Sequence, residues 1–305
     1  MVKITEKQFD KAEKYLRENC RPLEQARLSF LLRDGDINKY INALRKYQNP
    51  DGGFGKGLEP DFLLPDSSSL ATSLAFQFLS EIPDIETSDL VKKAVRYLET
   101  TFNKSRNGWF ALPKEVNNYP HAVWWNWDIK TRQTVIDQCW GNPSAELIGY
   151  LWKYRKHIST LDVDSLVEYA IQYWVTKSDF PSEHEVYSYI WLYKCLPSEK
   201  AKVLEEKLIE ATKKLVTYDV EKWKTYTPQP IHFANSPDFF LYETVKKGID
   251  SNLDYLINTV NENGVWSPNW TWRQYDSEWE KSKIKWQGIL TIRNLKILRN
   301  YGGIE

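Results

Sequence analysis

The chain is poor in residues that carry redox or metal chemistry. It has three cysteines, four histidines and one methionine in 305 residues. Cys20, Cys139 and Cys195 are odd in number and far apart, so they give no disulfide framework and point to a reduced, cytoplasmic protein. Net charge is also missing, with 41 Lys plus Arg against 41 Asp plus Glu. That balance removes the electrostatic case for nucleic acid or an anionic membrane surface. No apolar run is long enough for a transmembrane helix. The opening "MVKITEKQFDKAEKYL" is charged throughout and lacks the apolar stretch of a signal peptide, so none is expected. "GGFGKG" lacks the spacing and the terminal Lys-Ser/Thr pair of a phosphate-binding loop.

What remains is apolar and aromatic. Hydrophobic residues make up 42% of the chain, enough for a substantial core. Fourteen tryptophans and eighteen tyrosines exceed the needs of a helical core, and many sit in polar stretches such as "HAVWWNWD" and "VWSPNWTWRQYDSEWE". Rings in wet loops cover something or bind something.

The dominant apolar period is helical. Ile37, Tyr40, Ile41, Leu44 and Tyr47 form one stripe; Leu90, Val91, Ala94, Val95, Leu98 and Phe102 form another; Leu253, Leu256, Ile257 and Val260 form a third. Each stripe ends in a similar signal: "QNPDGGFG", "SRNGWF" or "NENGVW". The glycine is expected to stop the helix in the left-handed conformation, and the aromatic to fold back on the apolar surface. Gly53 and Gly108 are 55 residues apart, and Gly108 and Gly264 are 156 apart, three times 52. A period near 52 predicts six repeats.

Each repeat reads as two helices, the second more uniformly apolar and therefore inner. The pairs are 5–19 with 22–33, 36–48 with 67–81, 87–102 with 143–156, 160–176 with 181–196, 198–216 with 236–247, and 250–262 with 283–300. Residues 1–305 thus read as a single all-α domain, an (α/α)6 toroid with inner and outer helix rings. The long connectors, 49–66, 103–142, 217–235 and 263–282, all run from outer to inner helix, which places function where the inner helices start. Those starts share "LPDSSS", "GNPSAE", "FPSEHE" and "NSPDFF". Proline suits the first turn, Ser182 with Glu185 reads as a capping box, and Asp66, Glu146 and Asp238 lie where negative charge is favoured.

"YINALRKYQNPDGGFG" resembles the glutamine–glycine–aromatic repeat of terpenoid cyclases and protein prenyltransferases, with Gln48, Gly53 and Phe54 at the matching places. "DGGFGKGLEPDFLLPDSSSLATSLAF", "YPHAVWW" and "NPSAELIGYL" resemble uncharacterised bacterial squalene-cyclase-like or prenyltransferase-like proteins. The resemblance implies the toroid. It departs from the family in lacking the D-x-D-D acid motif of cyclases; Glu59, Asp61 and Asp66 are the nearest approach. Prenyltransferases bind zinc through D-x-C and a histidine, and Asp137, Cys139 and His184 have fitting types. No metal or cofactor is nevertheless expected.

The candidate catalytic residues are Glu59, Asp61, Asp66, Glu146 and His184. Carboxylates at a cavity rim can include an acid of raised pKa, and His184, between Glu183 and Glu185, is expected to hold its proton more readily. The candidate substrate-binding residues are His121, Trp124, Trp125, Trp127, Trp140 and Tyr187, whose rings could stack on sugars, line an apolar cavity or hold a cation. The ordinary alternatives are a solvated loop for Glu59 and Asp61 with Asp66 as a helix cap, dipole compensation for Glu146 with Asn142 as the cap, an exposed first turn for His184, and a plug of accessory core for the tryptophans. His232 is a weaker candidate, and His157 reads as a partner for a helix C-terminus.

Three functions compete. The resemblance implies an enzyme acting on an isoprenoid-like or other apolar substrate in a central cavity. Tryptophans with paired carboxylates suit a carbohydrate-active enzyme equally. The third is a non-catalytic toroid binding a ligand or protein. A small-molecule ligand is the expected partner, with no nucleic acid and no transmembrane segment.

Overall fold

The computed structural model describes residues 3–304. Helix accounts for 60% of the chain and strand for 4%. In order the α-helices are α1 (Glu6–Asn19), α2 (Pro22–Leu32), α3 (Ile37–Arg45), α4 (Ser69–Leu79), α5 (Asp89–Thr101), α6 (Gly141–Lys153) and α7 (Val163–Val175). They continue as α8 (Glu183–Cys195), α9 (Ser198–Ala201), α10 (Glu205–Leu215), α11 (Pro230–Phe233), α12 (Tyr242–Val245), α13 (Ile249–Asn258) and α14 (Asp276–Asn300). The one sheet among the described residues is a two-stranded antiparallel hairpin, β1 (Trp127–Asp128) with β2 (Gln133–Thr134). No described helix is long and apolar enough to cross a membrane.

By packing, the chain forms two compact units. One contains the N-terminal part through Leu44, Thr212–Trp272 and the C-terminal part from Asp276; the other contains Arg45–Ala211 with Arg273–Tyr275. In the first unit α14 packs on α1 and α2. Ile4 bridges Ile304, so the two ends of the chain run side by side. Thr5 and Gln8 form the reciprocal capping box that starts α1. In the second unit α6 lies against α4, α7 and α8, and residues 141–151 are buried without exception. Helices α5 and α7 bury one stripe each, such as Leu90, Val91, Ala94, Val95 and Leu98 on α5. The expected contrast between buried and amphipathic helices therefore holds here.

The repeat signal has a physical basis that the glycines only hint at. After each of the three glycine turns, the backbone N–H of the next aromatic reaches a hydroxyl on α4, α6 or α14. Phe54 N–H donates to Thr72 Oγ1 at 3.0 Å, Trp109 N–H to Ser144 Oγ at 3.0 Å, and Trp266 N–H to Thr291 Oγ1 at 3.3 Å. All three hydroxyl residues are fully buried. The indoles bind backward as well: Trp109 Nε1 donates to Leu98 O and Trp266 Nε1 to Leu256 O, near the ends of α5 and α13. Gln48 ties its turn to Gly52 O and to Leu90 O in the first turn of α5.

The glycines themselves play two roles, and neither stops a helix directly. α3, α5 and α13 end several residues earlier. Gly264 and Gly52 do adopt positive φ, but in the third turn the left-handed residue next to Gly108 is Asn107. Gly108 is needed for space: a Cβ there would lie 2.5 Å from Ser144 Oγ.

The fifth pair departs from expectation. Residues 198–216 form α9, a short 3-10 turn and α10 in succession. The expected inner helix 236–247 is not one helix; only Tyr242–Val245 is α-helical, followed by a 3-10 turn to Gly248. Pro237 and Gly248 bracket a stretch too short and irregular to propagate. α14, conversely, begins at Asp276, seven residues before the expected 283, through the polar segment "DSEWEKS".

Removing a clasp hydroxyl leaves a buried N–H without its acceptor, a loss of about 1–3 kcal/mol. Thr72→Val, Ser144→Ala and Thr291→Val should each lower stability by that amount in urea unfolding, whereas Thr291→Ser should stay near the parent.

Candidate functional site

Helices α4 and α8 of the second unit each carry a half-exposed stripe. On α4 it is Leu70, Leu74 and Gln77, while the rest of the helix is buried. On α8 it is His184, Tyr187, Trp191 and Lys194, spaced three, four and three residues apart. That spacing is one stripe of a helix. α6 packs against both, and its buried Glu146 meets Gln77 of α4.

Glu146 is the most unusual group here. It retains 5% of its surface. Gln77 Nε2 donates to its Oε1 at 2.8 Å and the Tyr150 hydroxyl at 3.0 Å. Ser73 also turns its buried hydroxyl toward the carboxyl, where it favours the charged form. Among the described residues no cation forms an ion pair with Glu146; Lys194 acts only at longer range. Burial therefore dominates, and the carboxyl is pushed up to about 7 despite the bonds from Gln77 and Tyr150. Tyr150 stacks on Phe76 at 5.0 Å and lies 6.1 Å from Trp191, whose ring carries Lys194 Nζ at 4.9 Å. A carboxyl poised near neutral beside aromatic faces can give or take a proton at physiological pH.

The other inner-helix acid is already committed. Glu185 Oε1 accepts from the N–H of Gly141, the first residue of α6, and Oε2 lies 3.2 Å from Lys177 Nζ. It does not complete a capping box; Ser182 accepts from His184 N–H instead. His184 departs from expectation too. Its side chain is 39% exposed and Glu183 lies 3.9 Å away, but desolvation by surrounding protein outweighs that carboxylate and lowers the pKa. Tyr187 makes an edge contact with His184 at 5.9 Å.

Trp140 is a structural ring. It is buried, donates to Arg106 O and packs on Tyr169 and Tyr173. Asp137 is equally occupied: Oδ1 accepts from Ala111 N–H, and Oδ2 from the N–H and hydroxyl of Thr134. Burial raises the Cys139 thiol. Among the described residues no group of three His, Cys, Asp or Glu side chains is arranged to hold a metal, so Asp137, Cys139 and His184 do not converge.

The first two long connectors pair with each other. Leu63 N–H donates to Pro120 O, and Ala122 N–H to Asp61 O. Glu59 and Asp61 are buried there, with Glu59 Oε2 accepting from Asp61 N–H at 2.7 Å. Asp66 is exposed and caps nothing; Ser68 is the N-cap of α4. His121 is buried with Nδ1 2.6 Å from Tyr119 O and Nε2 2.7 Å from Asn126 Oδ1, and Gln274 donates to its carbonyl. Trp125 packs edge-on against Phe62; Trp124 and Trp127 are half-buried, the latter in β1. Eight of the fourteen tryptophans are buried and none is fully exposed, so most of the tryptophans belong to the core.

Sequence reasoning missed Gln77, Ser73, Tyr150 and Trp191. They lie in apolar runs, where only the helical phase separates a lining residue from a core residue.

Comparison with known proteins finds no family model that matches the chain, and no curated protein or solved structure that matches it.

The raised Glu146 pKa has a signed consequence for stability. The folded protein holds this proton between about 4.5 and about 7, where an unfolded chain has released it. Stability from this group is complete below pH 4.5 and lost as pH rises through 7. Glu146→Gln keeps the hydrogen bonds without the charge. It should match the parent at pH 4 and exceed it at pH 8 by about 3 kcal/mol at most, as read by urea unfolding. A less stable variant at pH 8 would contradict the assignment.

Proposed function

We propose that the helix pairs close into the α/α toroid implied by the sequence, and that Glu146 acts in it as a general acid on an isoprenoid-like or other apolar substrate. The observation that carries this reading is the buried Glu146 carboxyl, in no ion pair among the described residues and pushed up to about 7, meeting the α4 stripe of Leu70, Leu74 and Gln77. A protonated carboxyl can start reaction at an alkene or an allylic oxygen. The half-exposed ring of Trp191 favours the positive charge that results. Gln77 and Tyr150 hold the acid in one orientation.

The carbohydrate reading needs two carboxyls facing each other across the substrate. Hydrogen bonds to Glu146 come from an amide and a phenol, and Glu185 is held by Gly141 and Lys177. The binding reading draws on a separate observation, the burial of most tryptophans as the protein's own core.

Farnesol and geranylgeraniol are suitable probes, followed by tryptophan fluorescence for binding and by gas chromatography with mass detection for products. The parent should bind saturably and convert the probe, with conversion falling as pH rises through about 7. Glu146→Gln should bind with unchanged Kd and lose conversion by a factor of about 100 or more. Binding without conversion in either form favours the non-catalytic reading. Saturable binding of an oligosaccharide and none of an isoprenoid alcohol refutes the proposal.

A further inference from the structure

The two oxygens of the Glu146 carboxyl have different surroundings. Gln77 Nε2 and the Tyr150 hydroxyl both donate to Oε1, at 2.8 and 3.0 Å. Neither donates to Oε2, yet Oε2 is not among the buried polar atoms that lack a partner. The 5% of its surface that Glu146 keeps therefore includes this oxygen. One oxygen is held and the other is open.

A protonated carboxyl is itself asymmetric. Its carbonyl oxygen only accepts, and its hydroxyl oxygen carries the one donor. Two donors aimed at the same oxygen mark that oxygen as the carbonyl. A proton on Oε1 would point at the Gln77 amide N–H, which has no lone pair to receive it. Oε2 is left to carry the proton. Gln77 comes from the half-exposed stripe of α4 and Tyr150 from the buried interior of α6, so Oε1 is tied to both helices. On α8, Cys195 faces the same carboxyl, and burial keeps its thiol and the Tyr150 phenol protonated well beyond neutral pH. Lys194 acts from longer range. The proton exchanged near neutrality is the carboxyl's.

We propose that Glu146 carries and delivers its proton at Oε2, and that Gln77 is the positioning residue that enforces this by occupying Oε1. The inference rests on the reading of Glu146 as an acid and not on the substrate it serves. In the step, the Oε2–H bond breaks and its electron pair stays on Oε2. The proton joins the acceptor atom of the substrate, which takes the positive charge. Ser73, whose hydroxyl is turned toward the carboxyl, donates to the charge left behind. A proton taken back from the product cation, or from water that adds to it, restores the acid.

Infrared difference spectra of the full chain against Glu146→Gln, at about pH 5 where the carboxyl is protonated, isolate its C=O stretch. That stretch rises when a donor to the carbonyl oxygen is removed. Gln77→Met keeps the length of the side chain and drops the amide. Tyr150→Phe keeps the ring stack on Phe76 and drops the hydroxyl. Each variant, measured against itself with Glu146→Gln added, should show the stretch at higher wavenumber. Each should also raise the carbon-13 titration midpoint of Glu146 by about one pH unit, since both lost donors favour the ionised form. Gln77→Met decides, and Tyr150→Phe stands in if that variant does not fold. An unchanged or lower stretch, or an unchanged or lower midpoint, overturns the proposal, because Oε1 would then bear the proton or Gln77 would accept it. With the parent midpoint near 7, that result leaves the acid reading intact. A parent midpoint near 4.5 with no protonated C=O band refutes the reading and this inference together.

Discussion

The contact on which the rest of this structure depends is a backbone N–H given to a buried hydroxyl. Phe54, Trp109 and Trp266 each use it to join a turn to the helix that follows. A hydrogen bond of this kind is worth little in net terms when made but much when left open inside the protein. It therefore fixes geometry more than it adds energy. Ser144 stands two residues before Glu146 on α6, and Thr72 one residue before Ser73 on α4. Setting the rotation of α6 and α4 by these clasps brings Glu146 Oε1 to Gln77 and turns Ser73 toward the same carboxyl.

From that placement the chemistry follows. Glu146 lies on the helix that is buried on every side, so its charge has little access to water. The neighbours supplied to it are an amide, a phenol and a hydroxyl, which favour the ionised form only in part. Glu185, one helix away and also buried, is held by Lys177 and the Gly141 N–H. Two glutamates on adjacent helices thus differ by their partners: Glu185 has an amide and an ammonium beside it, and Glu146 an amide, a phenol and a hydroxyl.

Much of the fold was legible because its markers are local. Glycine followed by an aromatic stands in the sequence wherever a clasp stands in the structure, and amphipathic stripes such as Leu90–Leu98 face inward as read. The meaning of those glycines was not legible, since Gly108 serves a contact with Ser144 that lies 36 residues ahead. The helix expected at 236–247 failed because its apolar run "FFLY" is bounded by Pro237 and Gly248 and never extends beyond one turn. Among site residues, Glu146 was visible as an acid at an inner helix, but its partners Gln77 and Ser73 come from a helix about 70 residues earlier. His184 was judged by its sequence neighbours, whereas the protein packed around it decides its proton.

The central claim is that Glu146 is a buried carboxyl kept protonated to near neutrality. Carbon-13 NMR of glutamate-labelled protein, assigned with the Glu146→Gln variant, follows that carboxyl directly through a pH titration. The account predicts a midpoint near 7. A midpoint near the ordinary 4.5 would contradict it, because the carboxyl would then be a solvated or paired charge with no acid to give at neutral pH.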